Sequence, residues 1–141
     1  MIRSADAVWN GDLRSGAGTM KTGSGALDGP YSFRSRMQDG AGTNPEELIG
    51  AAHAGCFSMA LAFALATAGH PATRVHTSAK VHFDQVAGGF AITGIDLTTE
   101  AEVPGLDDAA FQQQAQTAKE NCPVSKALAA TPITLSAKLL S

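Results

Sequence analysis

Two cysteines carry the most chemistry in this 141-residue chain. Cys56 lies inside an apolar stretch, where a free Cys is commonly a small core residue. Cys122 stands immediately before Pro123. Pro favours the first helical position, so Cys122 is expected at a helix N-cap, where free amides and the helix dipole favour a thiolate. The two could form a dithiol pair, although nothing local in the sequence brings them together. They lack the C-x-x-C spacing of a zinc site, and no metal is expected. His53 precedes Cys56 by three residues and shares its helical face. That spacing suits either a cysteine hydrolase with His53 as base or a core histidine bonded to a backbone group. No G-x-S-x-G, H-E-x-x-H or P-loop motif is present. His70, His76 and His82 form no ligand cluster on one element. Arg34 and Arg36 fall on the polar face of an expected strand. They suit a solvated surface, or a guanidinium that stabilises a thiolate. Glu46 and Glu47 read, by themselves, as acids at the positive end of a helix dipole.

The elements that must position these residues follow from periodicity and punctuation. Ala5 to Trp9 and Ser15 to Thr22 read as strands separated by a bend at Asn10-Gly11-Asp12. Gly23 to Pro30 reads as a loop, and the alternation from Tyr31 to Gln38 reads as a third strand. Asn44 as cap, Pro45 at the first position and Glu47 three residues after the cap predict a helix start. That helix runs to about Ala68, and Gly69 and Pro71 end it. Arg74 to Phe83 and Phe90 to Val103 alternate as two further strands, with a kink at Gly94. A polar helix from Asp107 or Asp108 to about Lys119, a short helix from Cys122-Pro123 to about Ala129 and a last strand from Ile133 follow. The order β-β-β-α-β-β-α-α-β, with short turns between strands, implies antiparallel sheets, an α+β class and one domain over 1–141.

Composition narrows the functions. The net charge is −3, with 16% charged and 44% hydrophobic residues. No basic run is present, which argues against nucleic acid as the main partner. From Leu48 to Gly69 no Asp, Glu, Lys or Arg occurs. That run could span a bilayer by length. Its small residues, His53, Cys56, Ser58 and Thr67, and the lack of flanking Lys/Arg clusters or aromatic anchors, point instead to a buried helix of a soluble protein. A helix apolar around most of its circumference needs cover on most faces, and a second subunit would supply part of it. Met1 to Arg14 carries no apolar core segment, so no signal peptide and a cytoplasmic location are expected.

Two longer motifs then resemble one family. Gly42-Thr43-Asn44-Pro45-Glu46-Glu47-Leu48, continuing through His53-Ala54-Gly55-Cys56-Phe57-Ser58-Met59-Ala60, is similar to the core signature of the OsmC/Ohr proteins. Those are the osmotically inducible protein C and organic hydroperoxide resistance proteins. Asn121-Cys122-Pro123-Val124-Ser125 resembles the second signature. Trp9 to Asp12, Gly89 to Thr93 and Ile133 to Leu135 also fit, and the form around His53 and Trp9 is nearer the OsmC branch.

The resemblance implies an intertwined homodimer with a long central helix, acting as a peroxidase on organic hydroperoxides and on hydrogen peroxide. Cys56 would become a sulfenic acid and Cys122 would resolve it as a disulfide. An external dithiol, a lipoyl protein or dihydrolipoamide, would reduce that bridge. No cofactor is implied. The family's activating Arg and Glu carry over to Arg36 and Glu46. Glu46 and Cys56 are ten residues apart, ~15 Å along one straight helix. Arg36 and Glu46 are therefore expected from the chain opposite Cys56, at the subunit interface. Phe57, Met37 or residues of Gly23 to Pro30 are expected in the pocket wall. Two rival readings remain: a non-catalytic stress or ligand-binding protein of the same fold, with inert cysteines, and the cysteine hydrolase.

Overall fold

The computed structural model describes residues 1–141. They form two compact units, Met1–Leu48 and Ile49–Ser141. In the first, strands β1 (Ala5–Asn10), β2 (Ala17–Thr22) and β3 (Asp28–Tyr31) make one antiparallel sheet in the order β1-β2-β3. The expected bend forms: Gly11 has a φ of 91°, and the Asp12 carboxylate accepts hydrogen bonds from the N–H groups of Arg14 and Ser15 at 2.9 and 2.8 Å. Gly18 lets β1 and β3 crowd β2, because a Cβ there would lie 2.4 Å from the Val8 carbonyl oxygen and 2.6 Å from the Tyr31 ring. The Trp9 and Tyr31 rings meet with centroids 5.2 Å apart.

The third strand comes earlier than expected: Asp28 to Pro30, read as the end of a loop, pairs with β2, and the strand expected from Tyr31 to Gln38 is replaced. The chain leaves β3 at Tyr31, and Phe33–Met37 is a helical turn, α1. Ser32 and Ser35 cap it reciprocally: each hydroxyl accepts from the other's backbone N–H, at 3.1 and 2.9 Å. Over so few residues the alternation of Tyr31, Phe33, Ser35 and Met37 fits a strand and a turn of helix equally, and the local side-chain bonds decide. Helix α2 (Pro45–Thr67) starts as the sequence predicts, with the Glu47 N–H donating to Asn44 Oδ1 at 2.8 Å. The Glu47 carboxylate accepts from the Thr43 hydroxyl at 2.8 Å rather than closing a box on Asn44. Gly69, with a φ of 88°, ends the helix.

In the second unit β4 (Arg74–Val86) and β5 (Gly89–Glu102) form an antiparallel hairpin, with a register shift between His82 and Phe83, opposite the expected kink at Gly94. Helices α3 (Asp108–Asn121) and α4 (Pro123–Ala127) follow, and β6 (Ile133–Leu139) pairs with β5 in parallel. The expectation of purely antiparallel sheets fails here. The reason is the pair of helices between β5 and β6, the kind of crossover that parallel neighbours require.

Along α2 the buried residues Gly50, His53, Phe57, Leu61 and Leu65 recur at helical spacing. The apolar ones join Ile95, Leu97 and Ala101 of β5 and Phe111, Ala115 and Ala118 of α3 in one core. A hydroxyl chain fixes the helix to the sheet: Ser58 donates to Thr77 at 2.8 Å, and Thr77 and Thr99 are bonded at 2.9 Å. The opposite face of α2 is open. Ala51, Ala52, Gly55, Met59 and Phe63 are exposed, Met59 at 77% and Phe63 at 75%. One chain therefore buries a stripe of α2 and not most of it. The helix is long and apolar enough to cross a membrane by length and composition, yet its buried stripe is the core of a packed unit. Leu61→Ala should lower stability by about 2–5 kcal/mol through the cavity it leaves, read as a shifted guanidinium unfolding midpoint.

Candidate active site

The second unit brings the two cysteines together. Cys56 projects from α2 beside the buried Phe57 and is half-buried, whereas Cys122 is fully buried. Both are free thiols, and their sulfurs are 3.0 Å apart. A bridge needs them to close to the ~2.05 Å bond length. Cys122 is the joint between two helices. Its N–H donates to the Ala118 carbonyl at 2.9 Å, ending α3, and its own carbonyl accepts from the Lys126 N–H at 3.0 Å, starting α4. The expected N-cap position is therefore occupied, although the side chain closes no cap hydrogen bond.

The two thiols are perturbed in opposite directions. Burial raises the Cys56 pKa, the neighbouring Cys122 raises it further, and the Val124 N–H opposes this only in part. Burial also pushes Cys122 up. Its contact with Cys56, the N–H and hydroxyl of Ser125 and the Val124 N–H together outweigh that, and leave it below the usual thiol value. Within one chain, the backbone and hydroxyl donors that favour a thiolate thus gather at Cys122.

His53 does not serve Cys56. Its Nε2 is 2.7 Å from the Ser125 hydroxyl, its Nδ1 is buried without a partner, and burial depresses its pKa. Neither ring nitrogen bonds the Cys56 thiol, so the geometry of a cysteine hydrolase with His53 as base is not formed. The core-histidine reading holds, with a hydroxyl as partner instead of a backbone group. Ser125 was visible in the sequence only as part of the Asn121–Ser125 motif. Its bond to a residue 72 positions away has no local signal.

Arg36 and Glu46 meet within the first unit. Arg36 Nη2 is 2.7 Å from Glu46 Oε1, and Nε donates to both carboxylate oxygens at 3.1 and 3.2 Å. The α1 turn sets this up: the Ser35 hydroxyl donates to the Thr43 carbonyl at 2.7 Å, and the Asn44 amide donates to the Ser35 carbonyl at 3.1 Å. Arg36, rather than Arg34, is the arginine bonded to Glu46. Glu46 is buried, and this forked pairing makes an oriented charge rather than a loose surface ion pair.

Two cavities adjoin these groups, each within its own unit. In the first, Arg36 lines a hollow of ≈ 420 Å³ with Trp9, Tyr31, Phe33 and Met37. In the second, Cys56, Met59 and Phe63 of α2 face Gln114, Thr117 and Asn121 of α3 across an apolar groove of ≈ 980 Å³. Of the residues expected in the pocket wall, Met37 lines the hollow beside Arg36 and not the groove beside Cys56. Phe57 lines neither, being wholly buried in the core, and Gly23 to Pro30 supplies no lining residue to either cavity.

Comparison with known proteins shows what the chain is related to. Residues 38–138 match the family described as OsmC-like protein. The chain is 50% identical to Peroxiredoxin OsmC of Escherichia coli (strain K12) over 140 residues, covering 99% of this chain and 97% of that one. It is 37% identical over 89 residues to the organic hydroperoxide resistance protein of Xanthomonas axonopodis pv. citri (strain 306), covering 62% of this chain and 61% of that one. Among solved structures it matches the organic hydroperoxide resistance protein OhrB of Bacillus subtilis with a TM-score of 0.70 and 25% identity, covering 96% and 97% of the two chains. This chain belongs to the OsmC family, and the resemblance read from its two cysteine motifs is borne out. Mild oxidation of the native protein with diamide should therefore join Cys56 to Cys122 within one chain. Non-reducing peptide mapping reads the linked peptides, and recovery of two free thiols would contradict the geometry.

Proposed function

We propose that this chain is a thiol-dependent peroxidase of stress defence that reduces organic hydroperoxides, and hydrogen peroxide with them. The observation that carries this reading is the contact of two free thiols, one of which opens onto an apolar groove. Kinship with Peroxiredoxin OsmC and with organic hydroperoxide resistance proteins supports it. In the proposed cycle the Cys56 thiolate attacks the outer oxygen of the hydroperoxide. An S–O bond forms, the O–O bond breaks, and the organic fragment leaves as an alcohol after taking a proton. Cys122 then displaces the oxygen from Cys56, giving a disulfide and water. An external dithiol, a lipoyl protein or dihydrolipoamide, returns the pair to thiols. A reducing, cytoplasmic setting suits a bridge that must be opened in every cycle.

The site is completed by a second copy of the chain. Within one chain burial raises the Cys56 pKa, so a nucleophilic Cys56 needs a cation beside it. Arg36, oriented by Glu46, is that cation, and the helical spacing between Glu46 and Cys56 favours its delivery by the opposite subunit. The open face of α2, with Ala51, Gly55, Met59 and Phe63, supplies an apolar surface for such a homodimer. Arg36 also stabilises the developing charge on the leaving oxygen. The two units then work together as one OsmC-like domain in each subunit.

Cys56→Ser should abolish turnover of cumene hydroperoxide with a lipoyl dithiol system, and retained turnover would sink the proposal. Cys122→Ser should consume one equivalent and stop as a sulfenic acid that dimedone traps. Arg36→Ala should lower kcat/KM by about 10²-fold, the usual size for removing one charge-stabilising donor. Mixing Cys56→Ser and Arg36→Ala chains tests the shared site. A heterodimer rebuilds one complete site and regains activity if Arg36 acts across the interface, and stays inactive if it acts within its own chain.

A further inference from the structure

Two rungs join α2 to the first turn of α4. One is the Cys56–Cys122 contact, at 3.0 Å, and the other is the His53–Ser125 hydrogen bond, at 2.7 Å. On each helix the members of the two rungs are three residues apart, which puts them on one face, a turn apart. The first rung is made and broken in the proposed cycle, whereas the second has no role in it so far. His53 is fully buried and Ser125 is 6% exposed. A buried ring nitrogen without a partner is destabilising, so packing alone would be served better by an apolar side chain. The ring's protonation follows from its surroundings. Burial favours the neutral imidazole, which carries one N–H. If Nε2–H donates to the Ser125 oxygen, the Ser125 O–H is free to turn toward Cys122, the N-cap residue one helical turn before it. The other tautomer would use the hydroxyl proton on the ring and strand a buried N–H.

We propose that His53 and Ser125 are a positioning pair for the resolving step, holding the first turn of α4 against α2 and aiming the Ser125 hydroxyl at Cys122. The inference rests on the peroxidase reading above. In the step concerned, the Cys122 sulfur attacks the sulfenic sulfur of Cys56. The S–S bond forms, the S–O bond breaks, and the departing hydroxyl leaves as water with the proton of the Cys122 thiol. Neither His53 nor Ser125 touches the peroxide, so the first step does not depend on them.

The test separates the two steps. After one equivalent of cumene hydroperoxide, Ser125→Ala and His53→Leu should slow disulfide formation about tenfold, the effect of losing one buried hydrogen bond. Peroxide consumption should change less than about twofold, since these residues do not contact it. Ser125→Thr and His53→Gln, which keep a hydroxyl and a neutral donor, should restore the rate. The double variant should be no slower than either single one, because the two residues act as a unit. A wild-type rate of closure in Ser125→Ala overturns the proposal, and that variant decides alone if His53→Leu does not fold. Closure is also measured without peroxide, by letting oxidised glutathione cap Cys56 and following its displacement by Cys122. Closure there that depends on Ser125, in a chain that consumes no peroxide, would refute the peroxidase reading while sustaining the positioning pair. Closure there that is indifferent to Ser125 would refute the pair.

Discussion

A helix without a charged residue from Leu48 to Gly69 must find cover for its surface, and that demand organises the second unit. The sheet and α3 cover one stripe, ending at Leu61 and Leu65. The other face stays open around Met59 and Phe63. Cys56 lies on the border between the two, one residue before a wholly buried Phe and three before an exposed Met. A thiol there can touch a buried partner on one side and an apolar groove on the other. Moved one residue along α2, it would be either sealed in the core or exposed on the open face.

Each unit handles charge in its own way. No ionised side chain stands among His53, Cys56, Cys122 and Ser125, and the stabilising groups around Cys122 are a thiol, a hydroxyl and backbone amides. Such neutral donors favour a thiolate without themselves needing a counter-ion in a dry setting. The full charges of Arg36 and Glu46 are kept as a preformed ion pair on a different unit. A forked pair of this kind holds the guanidinium plane in a defined orientation.

Much of this was legible in the chain, for identifiable reasons. Asn44-Pro45 and Gly69 announced the ends of α2, and the alternation in β4 and β5 announced the hairpin and its irregularity at Gly94. The Pro after Cys122 announced a helix start. The α1 turn was not legible, because the serine pair that caps it lacks the Glu or Gln of the usual box and the segment is too short to show a period. The parallel pairing of β6 was hidden because strand periodicity says nothing of direction. Helix pattern alone favoured an inert Cys56, and only the longer motif pointed to its reactivity. The His53–Ser125 bond lay beyond reach, since it is a product of how α4 docks and not of any local spacing.

The crossover between β5 and β6 has one more consequence. It carries Cys122 back to a helix that ended long before, so a bridge to Cys56 would tie off a loop of 66 residues. By chain entropy such a tether is worth about 4 kcal/mol against unfolding. A catalyst that alternates between bridged and open forms therefore alternates between a tougher and a softer version of itself. On the proposed cycle, oxidant would harden the molecule just as it becomes idle, and reduction of the bridge would return its pliancy.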